Sequence, residues 1–393
     1  MRLAIIGDRG IPARYSGFST LTEQLATRLV AEHGWDVTVY CRNQYYEDHS
    51  PEWQGVRRVF LPAPGGKSFE SILHSTFSML HAMVRGYDAA FVLDPGNAPL
   101  SLPLVLRRTP MVFHTDGLGW QRRKWSKLQR RYYKWAEWVS ARLGHWLVTD
   151  ARAMQRYYLD EYGAPSSFIP YSGVVGDAPS DEGLQRHSLQ PGGFYLVVAR
   201  LEPENNVDLI IREYLASACT RPLVVVGTSP YGTEYSQAIL TQADPRVRCL
   251  GGIYDSAVLN GLYRGCYAYV HGHEVGGTNP SLLRAMQAGA PCLPVDVVFT
   301  REAVGEAGLF WDKAPGVLGA LLSRIDAAPD ELRTRGAQVQ ERATALYRWD
   351  AIAAAVETMF TTLVQARREG RPVAAALAGD IYHPLDFPRP GLS

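Results

Sequence analysis

A glycine-rich loop late in the chain contains the residues best suited to chemistry. It follows an apolar segment and leads into a helix at Pro280, with Asn279 as a good N-cap. Backbone amides at such a helix start, aided by the helix dipole, form an anion site. One acid, Glu274, lies at the mouth of the loop. An anion site beside a carboxylate predicts chemistry on a phosphorylated substrate, and the alternative is an ordinary connecting loop. The candidate binding residues here are Gly276, Gly277, Thr278, Asn279 and Ser281.

Two other loops could hold an anion. Gly17 precedes a predicted helix with Ser19 or Thr20 as its cap, which offers a second set of backbone amides. Arg200 follows another strand and can donate two parallel hydrogen bonds to a phosphate, or form a surface ion pair with a nearby glutamate. The first loop lacks Gly-x-Gly-x-x-Gly, and the sequence contains no Gly-Lys-Thr. These patterns argue against a dinucleotide dehydrogenase and a P-loop nucleotidase.

Two features of the first half of the chain suggest contacts with a second substrate. His114 and Asp116 follow a predicted strand and could touch a polar substrate or act as acid and base, unless Asp116 only makes a turn. A basic, aromatic-rich segment over 121–134 contains no acid, and its pattern predicts a helix over 124–143. Such a helix suits an anionic membrane or a phosphorylated acceptor, or it is a solvated face. The candidate acceptor or membrane contacts are Trp120, Arg122, Arg123, Lys124 and Lys127.

Composition limits the function classes. The net charge of +1 argues against a dedicated nucleic-acid binder, and the five scattered cysteines predict reduced thiols in a cytoplasmic protein. His271 and His273 lack a third ligand at a recognised spacing other than Glu274, so we predict no metal site. No apolar run approaches the roughly 18–20 residues that span a bilayer, so any membrane contact is expected to be peripheral.

Strand and helix patterns alternate through both halves of the 393-residue chain. This alternation predicts an α/β protein with two Rossmann-like domains facing across a cleft, with ligands beyond the carboxyl ends of the strands. The predicted segments are an N-terminal domain at 1–172, a linker at 173–193, a second domain at 194–345, a C-terminal helix at 346–370 that packs back on the first domain, and an irregular tail at 371–393.

Four motifs together resemble the rhamnosyltransferase-type branch of the retaining GT-B glycosyltransferases of family 4, over about residues 1–365. They are the segments at 8–15, 115–120, 200–206 and 273–283. The resemblance implies a nucleotide-diphosphate sugar, with dTDP or UDP as the nucleotide, bound by the second domain. It implies that no metal is required. It also implies that an acceptor, such as a glycan on a polyprenyl diphosphate, is held mainly by the first domain. Glu274 matches the first acid of the family's paired-glutamate motif, near the transferred sugar.

Three positions depart from the family's pattern. Arg284 replaces the second glutamate, which usually holds the nucleotide ribose, and Ser19 replaces an acid on the acceptor side. Asn205 stands where family 4 commonly has a basic residue, a change that the resembling branch often allows. We therefore expect a retaining transferase of a deoxyhexose, with L-rhamnose as the leading candidate. The alternatives are a non-catalytic nucleotide- or glycan-binding subunit, and a nucleotide-sugar epimerase or hydrolase on the same fold.

Overall fold

The computed structural model describes residues 1–13, 17–64, 69–123, 125–173, 181–229 and 232–377. The described chain forms two compact units. The first contains Met1–Trp120, Trp125–Tyr171 and the segment from Arg348 onward. The second contains Ser172–Tyr347, together with the short segment around Arg123.

The first unit is built on one sheet, which has eight strands in the described part of the chain. Their spatial order is β3-β4-β2-β1-β5-β6-β7-β8, and every pair is parallel except β3 with β4. The strands are β1 (Arg2–Ile6), β2 (Asp36–Arg42), β3 (Glu52–Trp53), β4 (Val56–Leu61), β5 (Ala89–Leu93), β6 (Met111–Thr115), β7 (Trp146–Thr149) and β8 (Ser167–Phe168). Every residue of β5, β6 and β7 is buried, as expected of parallel strands covered on both faces.

Helices cover both faces of this sheet. Right-handed crossovers toward the β8 edge place α2, α3, α4 and α5 in one layer, and α1 lies on the opposite face. The last long helix, α14, packs against α1 in the same unit, and its Phe360 makes an edge contact with Trp35 at 6.3 Å between ring centroids. The helices are α1 (Gly17–His33), α2 (Phe69–Arg85), α3 (Leu102–Arg107), α4 (Lys127–Leu143), α5 (Arg152–Tyr162), α14 (Trp349–Arg368) and α15 (Val373–Ala376).

The second unit contains a parallel sheet with five described strands in the order β11-β10-β9-β12-β13. They are β9 (Tyr195–Val198), β10 (Leu223–Val226), β11 (Val247–Gly251), β12 (Ala268–His271) and β13 (Cys292–Pro294). Buried side chains from the strands and the flanking helices form its core. The helices are α6 (Glu182–Arg186), α7 (Val207–Ala216), α8 (Glu234–Leu240), α9 (Ser256–Gly265), α10 (Pro280–Gln287), α11 (Val298–Val304), α12 (Val317–Asp326) and α13 (Pro329–Leu346).

The predicted fold class, with two Rossmann-like α/β domains, is confirmed. Sequence analysis did not predict the short strands β3, β8 and β11 or the helices α3, α8, α11, α12 and α13. Helix α6 lies within the segment predicted as a linker, and its Gly183 packs closely on α9, since a Cβ there would lie 2.1 Å from the Val258 carbonyl oxygen. The tail begins with α15, and residues 378–393 lie outside the described part of the chain.

Candidate functional site

Two loops of the second unit meet at the carboxyl edge of its sheet. Strands β9 and β12 are parallel neighbours, so the chain leaves both at the same edge. Nδ1 of His273 lies 2.8 Å from Oδ1 of Asn205, and Asn206 donates from Nδ2 to the Gly272 carbonyl at 2.8 Å. A Cβ at Gly272 would lie 2.3 Å from the Asn205 carbonyl oxygen, so this approach requires glycine. The two sequence motifs therefore form one site.

Glu274 lies at the junction of these loops. Its amide donates to the Glu204 carbonyl at 3.2 Å, which fixes the backbone. The carboxylate carries a cation on each oxygen, with Arg123 3.1 Å from Oε1 and Lys313 2.5 Å from Oε2. Its side chain is 13% exposed, whereas both cations are largely solvated. The two ion pairs orient the Glu274 carboxylate. Sequence analysis missed Lys313, because nothing nearby in sequence marks it as a partner of Glu274.

The start of α10 has the predicted geometry. Asn279 caps the helix by accepting from the Ser281 amide at 3.0 Å and from the Ser281 hydroxyl at 2.7 Å. Gly276, Gly277 and Thr278 are buried beside it. The amides of the first turn are therefore held at the same sheet edge as Glu274, where an anion would meet the positive end of the helix.

A buried histidine lies beneath the loop. His271 ends β12, its Nδ1 lies 3.1 Å from the Tyr269 hydroxyl, and burial lowers its pKa to about 3. The same hydroxyl contacts Oγ of Ser281 at 3.0 Å. Nε2 of His271 has no hydrogen-bond partner among the described residues. His271 is therefore a neutral group with one buried nitrogen that a ligand or water could satisfy.

Arg200 follows β9 on the other side of the site. Its carbonyl accepts from the Glu202 amide at 2.8 Å and from Nδ2 of Asn205 at 2.7 Å, so a tight turn sets the backbone from which the partly exposed guanidinium extends. Glu202 and Glu204 are both buried. An ion pair of Arg200 with either glutamate, which was the alternative from sequence, would therefore be partly buried.

Arg284 is held away from the loop by a neighbouring helix. Its Nε donates to Oδ1 of Asn260 at 2.7 Å, and one terminal nitrogen donates to the Ser256 carbonyl at 3.0 Å, both on α9. The guanidinium carbon of Arg284 lies 5.7 Å from the centre of the Tyr263 ring. Burial lowers the pKa of Arg284. The positive charge at this position is thus part of the α9–α10 packing.

The predicted caps of α1 need correction. The helix begins at Gly17 rather than at Ser19 or Thr20. Ser19 lies inside the first turn and is buried, and its hydroxyl donates to Oδ1 of Asp8 at 3.0 Å. Burial raises the pKa of Asp8. A carboxylate is therefore present beside position 19, although it comes from the loop after β1.

His114 and Asp116 have different environments. The His114 ring is buried between Phe18 and Tyr171, with ring centroids 5.5 and 5.4 Å away. Burial lowers its pKa to about 3, which favours the neutral imidazole near pH 7 and argues against a role as a general acid. Asp116 is partly exposed after β6, next to Gly117, whose φ is 132°. It is the group of this pair that solvent can reach.

The basic segment is not one continuous helix, which corrects the predicted start at 124. Helix α4 begins at Lys127 because Ser126 caps it: the Ser126 hydroxyl accepts from the Gln129 amide at 3.3 Å, and the Gln129 side chain accepts from the Ser126 amide at 2.9 Å. Arg122 and Arg123 precede the helix, and Lys124 lies outside the described residues. The Ser-x-x-Gln spacing of this capping box was visible in the sequence.

Lys134 is engaged within the first unit. Its Nζ lies 5.1, 5.0 and 5.1 Å from the ring centroids of Trp120, Tyr157 and Tyr162, and 2.9 Å from Glu161. This aromatic cage takes Lys134 out of the charge that the sequence assigned to the basic segment.

Glu137 lies under the same cage. The hydroxyls of Tyr157 and Tyr162 donate to its Oε2 at 2.8 and 2.9 Å. Burial outweighs these bonds and raises its pKa to about 7. Trp120, a predicted acceptor contact, is joined to this network through a 3.2 Å bond from its Nε1 to the Tyr157 hydroxyl.

Family models match both units. Residues 16–171 match the model described as "Glycosyl transferase 4-like domain", and residues 194–326 match "Glycosyl transferases group 1". The protein is a GT-B-type glycosyltransferase. No curated protein shows significant similarity to its sequence.

Solved structures share the fold of this glycosyltransferase at low sequence identity. Sucrose-phosphate synthase from Thermosynechococcus elongatus aligns with a TM-score of 0.78 at 20% identity, over 93% of this chain and 99% of that one. HepE from Anabaena in complex with UDP-glucose aligns at 0.72 and 14%, over 92% and 99%. A UDP-forming trehalose-phosphate synthase from Burkholderia vietnamiensis aligns at 0.69 and 12%, over 93% and 98%.

Other features of the glycosyltransferase bear on cofactors and membranes. Among the described residues, no group of three His, Cys, Asp or Glu side chains could hold a metal ion. His273 lies beyond the end of β12 and bonds to Asn205, and its ring centroid lies 6.3 Å from that of His271. All five cysteines are free thiols, and no helix in the described ranges is long and apolar enough to cross a bilayer.

Proposed function

We propose that this glycosyltransferase moves a deoxyhexose, with L-rhamnose as the leading candidate, from a dTDP- or UDP-sugar to a glycan acceptor with retention. The observation that carries the proposal is the joining of the loops after β9 and β12, which places Glu274 next to the start of α10. Complexes of HepE with UDP and with UDP-glucose favour a uridine nucleotide among the two candidates. The second unit is the proposed donor-binding domain.

The donor diphosphate would bind between the two loops. Arg200 supplies a forked cation, and the amides of Gly277, Thr278 and Asn279 supply donors at a helix start. Asn205, Gly276 and Ser281 shape this cradle through the bonds and burial described above. In the first unit, Gly17 opens α1, and the backbone amides of that helix start could bind an anion.

Negative charge grows on the leaving diphosphate as the C1–O bond of the sugar breaks. Donors fixed before the reaction stabilise that charge without reorganising, which is the electrostatic part of catalysis. Glu274 would orient the sugar hydroxyls and support the positive charge at C1. The acceptor oxygen then bonds to C1 on the face that the diphosphate leaves, and its proton passes to a donor phosphate oxygen. Asp116 would contact the sugar or the acceptor.

A non-catalytic nucleotide- or glycan-binding subunit is the second candidate. Arg284 favours it, because a guanidinium bound to Asn260 and Ser256 stands where the resembling family has a ribose-binding acid. The acceptor distinguishes the two candidates, since only the enzyme needs one. We propose a growing glycan on a polyprenyl diphosphate, reached at the inner face of the cell membrane from the cytoplasm.

The test is a transfer assay with dTDP- and UDP-sugars and polyprenyl-diphosphate-linked glycans, followed by NMR of the anomeric proton in the product. Retention predicts that the new glycosidic bond has the anomeric configuration of the donor. An inverted product would overturn the proposed mechanism. Binding of the nucleotide sugar without any transfer to the panel would favour the non-catalytic subunit.

A further inference from the structure

The outer face of α2, α3 and α4 exposes large apolar side chains. These helices belong to one layer, with α2 against α3 and α4 against the turn that precedes α3. Leu128, Val84 and Leu106, one from each helix, are 79%, 77% and 71% exposed. A soluble protein rarely exposes so large a contiguous apolar patch unless it binds something.

Helix α4 arranges this exposure as a stripe. Its exposed positions recur at intervals of three and four residues, so they share one side of the helix. The stripe consists of Leu128, Arg131, Trp135, Trp138 and Arg142. The two tryptophans are 51% and 48% exposed, although side chains of this size are usually buried.

Helices α2 and α3 continue the apolar surface beside the stripe. Exposed residues recur along α2 at helical spacing, and α3 exposes most of its short length. The additional apolar members are Phe69, Ile72, Phe77, Leu80, Leu102 and Val105. Together with Leu128, Val84, Leu106 and the α4 stripe, these residues form the docking face.

The exposed charged side chains of these three helices are all positive. Their two acids are Glu70, which pairs with Arg42 at 2.6 Å, and Glu137 under the aromatic cage, and both are buried. The exposed cations of the three helices are Arg85, Arg107, Lys127, Arg131 and Arg142. The next helix of the layer, α5, has exposed acids at Asp160 and Glu161, which mark the border of the docking face.

We propose that the docking face binds an anionic membrane surface. Tryptophan settles at the interface between headgroups and acyl chains, and arginine beside it attracts acidic lipids. The absence of exposed acid on α2, α3 and α4 makes the face complementary to a negatively charged bilayer. A second copy of the chain is less suitable, because it would bring the same cations together.

The inference deepens the proposed membrane-linked acceptor and changes the residues that reach the membrane. Arg123 is bound to Glu274, and Lys134 lies in the aromatic cage. Lys127 is shared with the sequence prediction, whereas the stripe of tryptophan and arginine on α4 is new. Docking is measured without turnover, so its failure and a failure of the proposed transfer reaction are separate results.

The first test is co-sedimentation of the full chain with vesicles of phosphatidylcholine and phosphatidylglycerol in equal parts, and with phosphatidylcholine alone. The protein should pellet with the anionic vesicles. Changing Trp135 and Trp138 to Ser should lower the partition coefficient by about tenfold or more, because two interfacial side chains are lost. The matched control changes Leu240 and Val298, exposed apolar residues of the second unit, to Ser and should bind like wild type.

The second test separates charge from apolar contact. Arg131→Gln with Arg142→Gln should weaken binding to anionic vesicles by about 25-fold at low salt, at about fivefold for each cation near the surface. Arg212→Gln with Arg333→Gln, exposed on α7 and α13, is the control and should have no effect. Thermal unfolding should show that both stripe variants remain cooperatively folded, since each altered side chain is exposed.

Three results would overturn the proposal. One is equal vesicle binding by wild type and both stripe variants. Another is equal binding to neutral and anionic vesicles without dependence on salt. The third is concentration-dependent dimerisation, measured by sedimentation velocity, that the tryptophan variant abolishes while wild type ignores vesicles. That last result would assign the docking face to a second copy of the chain.

Discussion

The two loops after β9 and β12 and the basic segment at 121–134 gave opposite outcomes from the same kind of sequence reasoning. In the loops after β9 and β12, residues 66 or more positions apart in sequence form direct bonds, such as Asn205 to His273 at a separation of 68. In the basic segment, neighbours in sequence separate. Arg123 bonds to Glu274, whereas Lys134 enters an aromatic cage.

The two outcomes differ because sheet topology fixes the positions of the loop residues but not those of the charged side chains in the basic segment. Parallel strands bring their carboxyl ends to one edge, so polar residues just after two adjacent strands are brought together by topology. A charge run has no comparable rule, because each long side chain finds its own partner. The capping box of Ser126 illustrates this behaviour of a charge run. It starts α4 at Lys127, so Arg122 and Arg123 lie outside the helix and belong to the second unit.

The largest effect is expected at Glu274, where the comparison is strongest. Glu274→Gln should lower turnover by about 100- to 1,000-fold and leave nucleotide affinity within a few-fold of wild type, because the acid acts on charge that develops in the transition state. Steady-state kinetics and calorimetry measure the two quantities. Glu234→Gln, an exposed acid on α8, is the control. Wild-type turnover in Glu274→Gln would make the acid structural.

Sequence alone predicted the architecture and the helix start in the loop after β12. A C-terminal helix was expected at 346–370, and α14 spans Trp349–Arg368, because its apolar periodicity is long. The Asn279 cap followed from the residue types Asn-Pro-Ser. Lys313 could not be predicted, since it reaches Glu274 from a separation of 39 residues and no pattern links the two. The α4 stripe was not predicted, because a run of charges along the sequence does not show which side chains share one side of a helix.

The next largest effect is expected at Glu137 in the first unit. Burial raises its pKa from 4.5 to about 7, so the folded state binds the proton more tightly than the unfolded state. The associated stability is present below pH 4.5 and is lost as pH rises through 7, by roughly 3 kcal/mol in total. The difference in free energy of unfolding between wild type and Glu137→Gln should therefore change by about this amount between pH 4.5 and 8. If the free energies of unfolding of wild type and Glu137→Gln changed with pH in parallel, the raised pKa of Glu137 would be contradicted.

The smallest effect is expected at Lys313. The Lys313–Glu274 pair is partly solvated, so its contribution is modest, and Lys313→Met should lower turnover by only about three- to fivefold. Arg324→Met, which removes an exposed pair with Glu331 in the same unit, should leave turnover unchanged. Equal turnover in the two variants would mean that the second cation does not position Glu274.

The central claim is that the joined loops of the second unit bind a nucleoside diphosphate through Arg200. The most direct measurement is a thermal-shift panel of UDP, dTDP and their sugars on wild type and Arg200→Ala. Ligand at 100 times its dissociation constant should stabilise wild type by about 2.7 kcal/mol. Loss of a charge-assisted bond should weaken binding by about 1.5–3 kcal/mol, so the variant should show a much smaller shift at the same ligand concentration. Equal shifts in both proteins, or no shift with any nucleoside diphosphate, would contradict the account.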